Sequence, residues 1–267
     1  MFTQSDLTAQ LAEMNAPRDA VVLAHTSLRA VGQVEDGADG FLDAMIRYFT
    51  EDGGLFCVPT HTWAKLDQPD PIKLDMNSAE TCIGTLPNIA AGSADAHRSL
   101  HPTHSMAVFG EAKAAEDFIA GEVTMDTSTS PLGCYGRLYD RGGFVLLIGV
   151  GHNRNTYLHS VEERLSVTNR LSEELVPANI RLKSGDVIER PIHCHRAVGI
   201  GDVSARYPKY EPAFRFHGCI RDGKLGNAAV QLCDCRKMAE VMALIRERSG
   251  GVELLADDRP IDPRVYE

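Results

Sequence analysis

The segment 149–163 holds the residues whose types and spacing best suit acid–base chemistry. Its sequence, GVGHNRNTYLHSVEE, places Glu162 three residues and Glu163 four residues after His159. Residues at these separations share one face of a helix, so either carboxylate could reach the imidazole. A carboxylate beside a histidine fixes the tautomer and raises the basicity, as a general base requires. A surface His–Glu pair that only stabilises a helix has the same spacing, so spacing alone leaves both interpretations open.

Two other segments gather polar side chains in places where ligands bind. Residues 25–32 (HTSLRAVG) directly follow an apolar run. A strand that ends in small polar residues and enters a helix can present backbone N–H groups to an anion, although an ordinary capped turn looks the same. Residues 98–105 (RSLHPTHS) combine two histidines, hydroxyl side chains and an arginine. Such density outside a regular period is typical of a loop that lines a site.

The cysteines indicate reduced thiols rather than a disulfide framework. There are seven, an odd number, and they are scattered along the chain. His193-Cys194-His195 and the pair Cys233 and Cys235 do not have the spacing of structural zinc sites, so no metal is predicted. Cys134 is the one cysteine that we consider as a nucleophile, but no histidine is paired with it in the sequence.

The charge and hydropathy of the chain narrow the class of partner. The formal net charge is −10 and Lys and Arg do not cluster, so nucleic acid is not expected as a partner. An acidic surface would concentrate a cationic ligand, although such a charge is also common among soluble proteins. No apolar run reaches the roughly 20 residues of a membrane helix, and the first residues are typical of a capped amphipathic helix rather than a signal peptide. We therefore expect a cytoplasmic protein without a membrane segment.

The apolar pattern predicts the elements that position these residues. Continuous apolar runs at 20–25, 54–59 and 143–150 predict strands of a sheet that is covered on both faces. Helical patterns occupy 40–50, 111–119, 155–165, where Asn155 or Thr156 would be the N-cap, and 234–247. Residues 176–191 predict a β-hairpin with a Ser-Gly-Asp turn.

We therefore predict one α/β domain over residues 1–267, with a central, mostly parallel sheet flanked by helices and a β-rich insertion around 170–220. Ligands of parallel sheets bind at the carboxyl ends of the strands. His159 follows the strongest predicted strand, so we expect it to lie near that edge.

Taken together, these segments resemble the aminoglycoside N3-acetyltransferase family, also called the antibiotic acetyltransferases. The resemblance runs from about Val21 to Leu244. Its motifs, in matching order and separation, are HTSLRAVG at 25–32, RSLHPTHSMAVFG at 98–110, GRLYDRGGFVLLIGVG at 136–151, NTYLHSVEE at 155–163 and GKLGNA at 223–228. Between Asp126 and Gly136 the chain is shorter than the family's T-P-x-G-x-x-S-P pattern, which leaves the coenzyme contacts of that loop open.

The resemblance implies the antibiotic acetyltransferase fold, which differs from the GNAT fold. It also implies acetyl transfer from acetyl-coenzyme A (acetyl-CoA) to the 3-amino group of a 2-deoxystreptamine aminoglycoside. The family's N-T-x-x-H-x-x-E segment then makes His159 the general base and Glu162 its acidic partner. The residues implied to line the coenzyme site are His25, Thr26, Ser27, Leu28, Arg29, Gly32, Thr103, His104 and Ser105.

Several alternatives stay open on the sequence alone. The acceptor could be another small amine, such as a natural-product intermediate. The chain could also be a non-catalytic coenzyme A-binding or metal-binding module, although such a module would not need an oriented His–Glu pair. His25 and His104 are rival bases. A monomer and a homodimer are both compatible with the sequence.

Overall fold

The computed structural model describes all residues from 1 to 267 and centres on a seven-stranded sheet. In spatial order its strands are β4 (His97–Arg98), β5 (Met106–Phe109), β2 (Leu55–Pro59), β1 (Val21–Thr26), β6 (Phe144–Ile148), β10 (Ala228–Asp234) and β9 (Ile220–Leu225). Within this sheet, parallel pairing is confined to the three central strands, β2, β1 and β6. Two antiparallel strands extend the sheet on each side. The central strands are the three that the apolar runs predict.

The central strands are apolar throughout because both faces of the sheet are covered. In β1, Val21 and Leu23 belong to one hydrophobic cluster, whereas Val22 and Ala24 belong to a second cluster on the opposite face. This alternation follows the two-residue period of a strand. The two clusters are the principal hydrophobic cores of the fold, and the sheet separates them.

Nine α-helices pack around the sheet. They are α1 (Gln4–Glu13), α2 (Leu28–Val31), α3 (Gly37–Thr50), α4 (Thr85–Gly92), α5 (Ala112–Ile119), α6 (Cys134–Asp140), α7 (Tyr157–Arg164), α8 (Glu211–Phe216) and α9 (Cys235–Arg248). Short 3-10 helices occupy Trp63–Lys65, Glu122–Thr124, His152–Arg154, Val203–Tyr210 and Pro263–Val265. No helix has both the length and the apolar character needed to cross a membrane.

The helix boundaries reflect the residues that cap them. Thr3 forms a capping box with Asp6 at the start of α1, which confirms the predicted capped helix. The side chain of Asp234 accepts a hydrogen bond at the start of α9. Thr156, one of the two predicted N-cap residues, is the N-cap of α7, but its side chain makes no cap hydrogen bond, and the Asn155 side chain bonds to His152.

A second, three-stranded sheet lies outside the large one. Its strands are β3 (Ile72–Asp75), β7 (Asn179–Arg181) and β8 (Val187–Glu189), and the β7–β8 hairpin is the one that the sequence predicts. Isolated bridges then continue the extended chain as far as His195. Residues 203–216 are helical, so the β-rich part is shorter than the predicted insertion around 170–220.

Two glycines of the sequence motifs allow chain segments to meet at α2. Gly149 has φ +63°, and a Cβ there would lie 2.4 Å from Ala30 Cβ. Gly226 has φ +58°, and a Cβ would lie 2.4 Å from the carbonyl oxygen of Val31. Both positions therefore exclude a side chain on conformational and steric grounds. These contacts fix the turn after β1 against the ends of β6 and β9.

Replacement of Phe49 by Ala should strongly destabilise the fold. Phe49 is fully buried in α3 and stacks on Phe56 of β2, with ring centroids 5.6 Å apart. Truncation of a buried Phe costs about 3–5 kcal/mol, because it removes apolar burial and leaves a cavity. Phe216→Ala is the matched control, since that side chain is 57% exposed and its loss should cost about 1 kcal/mol or less. Urea unfolding measures both, and equal losses would contradict the assignment of the core.

Candidate active site

The helix α7 carries His159 to the carboxyl edge of the parallel strands. The chain leaves β6 at Ile148, turns through the 3-10 helix His152–Arg154 and enters α7 at Tyr157. The Tyr157 hydroxyl donates to the carbonyl of Cys235 at 2.7 Å, and Leu158 and Val161 are buried in the core. These contacts fix the helix, while His159 stays partly exposed. The position of His159 at this edge agrees with the prediction from the sheet.

A tyrosine hydroxyl links His159 to Glu162. The oxygen of Tyr207 lies 2.7 Å from His159 Nδ1, and its O–H donates to Glu162 Oε2 at 2.6 Å. Because the hydroxyl gives its one proton to the carboxylate, Nδ1–H of His159 must donate to the tyrosine oxygen. This leaves the lone pair on Nε2. Glu162, the acidic partner that the resemblance implies, is therefore linked to His159 through Tyr207 rather than by direct contact.

The Glu162 carboxylate is buried and held by an ion pair. The residue is 1% exposed, and Arg170 Nε donates to Oε1 at 2.8 Å. Arg170 also contacts Glu253, with Nη2 and Oε2 2.8 Å apart. Burial raises the pKa of Glu162, while the charge of Arg170 and the hydrogen bonds from Tyr207 and Arg170 oppose that rise. Each oxygen of the Glu162 carboxylate thus accepts a hydrogen bond, Oε1 from Arg170 and Oε2 from Tyr207.

Four imidazoles form a continuous contact series that we call the histidine row: His61, His104, His195 and His159. Consecutive ring centroids are 4.5, 5.0 and 4.0 Å apart. Burial lowers the pKa of His61, His104 and His159 well below the ordinary value, and the charges of neighbouring histidines act in the same direction. These three rings are therefore neutral at neutral pH. No three metal-ligating side chains are arranged around one point for an ion.

The loop of residues 99–105 is held in shape by its own side chains. His101 Nδ1 accepts from the backbone N–H groups of Thr103 and His104, at 3.2 and 2.9 Å. The hydroxyl of Thr103 lies 2.9 Å from His104 Nδ1, and that of Ser105 donates to the carbonyl of Thr60 at 2.9 Å. Of the three predicted coenzyme-lining residues here, Thr103 and Ser105 have buried side chains bonded within the protein. His104 lies in the histidine row.

The segment of residues 25–32 forms the end of β1 and the single turn α2. His25 is buried, and burial lowers its pKa to about 3. Its Nε2 and the hydroxyl of Thr26 have no hydrogen-bond partner in the protein. The hydroxyl of Ser27 accepts from the N–H of Ala30 at 3.3 Å and caps α2. Leu28 is partly exposed, whereas Arg29 and Gly32 are exposed.

Cys134 is not placed for nucleophilic chemistry. It is fully buried at the start of α6, and its N–H donates to Glu122 Oε2 at 2.6 Å. Its Sγ lies 3.8 Å from the carbonyl of Phe118. Burial, reinforced by the charge of Glu122, raises the thiol pKa well above the ordinary value. The thiolate form that a nucleophile needs is therefore disfavoured.

Sequence reasoning missed several residues of this site. Tyr207 reaches Glu162 from a segment 45 residues away, and Arg170 reaches it from the loop after α7, where no helical spacing rule applies. His195 was set aside because its segment lacks zinc spacing. His61 had a usable signal: it follows β2 directly between two threonines, the same strand-end pattern that singled out residues 25–32.

The sequence and the fold of this chain were each compared with known proteins, and both are similar to aminoglycoside acetyltransferases. An aminoglycoside N(3)-acetyltransferase IV from Salmonella sp. is 30% identical over 167 residues, which span 60% of this chain and 59% of that enzyme. A histidine-to-alanine variant of the aminoglycoside acetyltransferase AAC(3)-IVa, in complex with a gentamicin, matches with a TM-score of 0.75, 22% identity and 96% coverage of both chains. The binary complex of AAC-IIIb with CoASH matches with a TM-score of 0.73, 20% identity, and coverage of 92% and 97%.

The family model described as aminoglycoside 3-N-acetyltransferase matches residues 23–245. That span contains most of β1, all of α7 and all four residues of the histidine row. The chain therefore belongs to the aminoglycoside 3-N-acetyltransferase family.

Proposed function

We propose that the chain transfers an acetyl group from acetyl-CoA to the 3-amino group of a 2-deoxystreptamine aminoglycoside. The observation that carries this proposal is the hydrogen-bond series from His159 through Tyr207 to Glu162, which leaves Nε2 as a proton acceptor. A related structure contains a gentamicin and another contains CoASH, which supports the two substrates.

In the proposed reaction, His159 Nε2 takes a proton from the acceptor nitrogen. The nitrogen lone pair forms a bond to the thioester carbonyl carbon, the C–S bond then breaks, and the sulfur leaves as a thiolate that takes up a proton. Acceptor plus acetyl-CoA thus gives the amide and coenzyme A, with no net redox change. The imidazolium formed on His159 is stabilised because Tyr207 and Glu162 accept the hydrogen-bond series from Nδ1.

Acetyl-CoA would bind at the carboxyl edge of the central strands. The predicted lining residues 25–29 and Gly32 lie there, and the unpartnered Nε2 of His25 and hydroxyl of Thr26 offer buried polar groups to a ligand. Arg29 is an exposed cation on the same turn and suits a phosphate group. In the loop of residues 99–105, Thr103 and Ser105 would shape the site and His104 would face it.

A cationic acceptor fits the electrostatics around the base. The buried histidines are neutral, so they do not repel an ammonium group. Glu162 is compensated by Arg170, whereas Glu163 has no Lys or Arg partner and lies 3.8 Å from His195 Nε2. Glu163 thus contributes the negative charge that no Lys or Arg offsets. This favours the net attraction of an amine-rich substrate.

The direct test is acetyl-CoA turnover with a panel of amines. We expect coenzyme A release with 2-deoxystreptamine aminoglycosides and, by NMR of the product, acetylation at the 3-amino nitrogen. The panel should include small amines without a 2-deoxystreptamine ring. Turnover of only those amines would replace the aminoglycoside with the alternative acceptor class, and no turnover of any amine would refute the enzymatic proposal.

His159→Ala should lower turnover by about 100-fold or more, because positioned general bases contribute roughly 10²–10⁴-fold. Binding of acetyl-CoA, measured by calorimetry, should stay close to that of the unmodified protein. The same substitution at His25 and at His104 ranks the rival bases. Near-normal turnover of the His159 variant would remove it from the mechanism.

Tyr207→Phe should lower kcat by roughly 10–100-fold with little change in KM. The variant removes the hydroxyl that fixes the tautomer of His159, and hydrogen bonds to charged groups are worth about 1.5–3 kcal/mol. Tyr210→Phe is the matched control: it lies in the same 3-10 helix and is buried, but its hydroxyl makes no hydrogen bond to His159 or Glu162. Equal effects of the two variants would argue against the link through Tyr207.

A further inference from the structure

Two consecutive glutamates of α7 each reach a histidine through a hydroxyl group. Glu162 does so through Tyr207. Glu163 does so through Thr129, whose O–H donates to Glu163 Oε1 at 2.6 Å and whose oxygen lies 3.1 Å from His195 Nε2. Because the threonine gives its one proton to the carboxylate, Nε2–H of His195 must donate to Thr129. The second arrangement therefore has the same order of groups as the first.

The two histidines held in this way lie face to face. The rings of His159 and His195 are stacked, with centroids 4.0 Å apart and planes inclined by 17°. Each ring is fixed at one edge by its hydroxyl partner and on one face by the other ring. Two positive charges at this separation repel, so protonation of one imidazole opposes protonation of the other.

The carboxylates beside the two rings differ in how their charge is compensated. Glu162, the carboxylate on the side of His159, is already neutralised by Arg170 at 2.8 Å. Glu163 lies 3.8 Å from His195 Nε2 and has no Lys or Arg partner. Only the His195 ring therefore has an uncompensated carboxylate within ion-pair distance.

We propose that His195 is a positioning residue for His159, holding the base ring by stacking and opposing a positive charge on it, because a charge on either stacked ring disfavours a charge on the other. The electrostatic part of this inference concerns the free protein, and its catalytic consequence rests on the proposed function. It gives a role to the His193-Cys194-His195 segment, whose spacing does not fit a zinc site.

The other titratable groups that face this pair are His61, His101, His104, Arg170 and Tyr207. Burial lowers the pKa of the three histidines, that of His101 to about 4, and raises that of Tyr207. These groups thus keep their charge states near neutral pH, and the charge of Arg170 is matched by its glutamate partners.

The pKa of His159 is lowered by burial first and then by the charges of His195, Arg170 and His61. Removal of the His195 charge should therefore raise the pKa of His159. Glu163→Gln should act in the same direction, because it removes the carboxylate that favours a proton on His195.

The test is an NMR titration of the histidine rings in the free protein, with His159 assigned from its own variant. His195→Phe keeps a flat ring on His159 and loses the charge, so the midpoint of His159 should rise by about one pH unit. His193→Phe is the matched control, because His193 lies in the same segment but bonds to the carbonyl of Ser172. That control should leave the midpoint unchanged. Glu163→Gln carries the test if His195→Phe does not fold.

The catalytic readout is the pH dependence of acetyl-CoA turnover. In His195→Phe the acid limb of the pH–rate profile should move to higher pH, together with the titration midpoint of His159. His195→Ala should lower kcat more than His195→Phe does, because it also removes the stacked ring. An unchanged His159 midpoint in both His195→Phe and Glu163→Gln overturns the inference, whatever the turnover. A shifted His159 midpoint without turnover of any amine supports the electrostatic coupling of the two rings and refutes the proposed acetyl transfer instead.

Discussion

The buried carboxylate of Glu162 is the constraint on which the site depends. An ionised carboxylate with 1% exposure is costly unless it is paired and fully hydrogen-bonded. Arg170 supplies the opposite charge and Tyr207 supplies the O–H donor. Removal of either partner would leave a buried charge or lone pair unsatisfied. The carboxylate therefore brings the loop that follows α7 and the distant 3-10 helix of Tyr207 together at α7, and these contacts also fix the imidazole of His159.

The fold itself could be predicted well where the signal is local. Continuous apolar runs marked β1, β2 and β6, because strands buried on both faces need no polar positions. The Ser-Gly-Asp turn marked the β7–β8 hairpin. The second sheet was not predicted as a sheet, because β3 joins it from about 100 residues away in the sequence. The N-cap of α7 is Thr156, one of the two predicted residues, because the side chain of the other, Asn155, bonds to His152.

The site could be predicted only in part, for the same reason. Helical spacing placed Glu162 and Glu163 near His159, but it could not decide between them. The structure shows why: adjacent helical residues point about 100° apart, so Glu162 faces Tyr207 and Glu163 faces Thr129. Each carboxylate then acts through a hydroxyl contributed by another segment. A spacing rule within one helix contains no information about those hydroxyls.

The motifs that identify the family and the side chains that surround the His159 imidazole are largely different residues. Gly149 and Gly226 belong to the motifs, and they hold the turn after β1 by excluding side chains at α2. Tyr207, Arg170 and His195 lie outside every motif, yet they determine the tautomer and the electrostatic surroundings of His159. Motif matches therefore establish the scaffold, whereas the protonation state of His159 depends on side chains that only the tertiary structure brings together. Two chains could share every motif and still differ in the pH range over which their histidine accepts a proton.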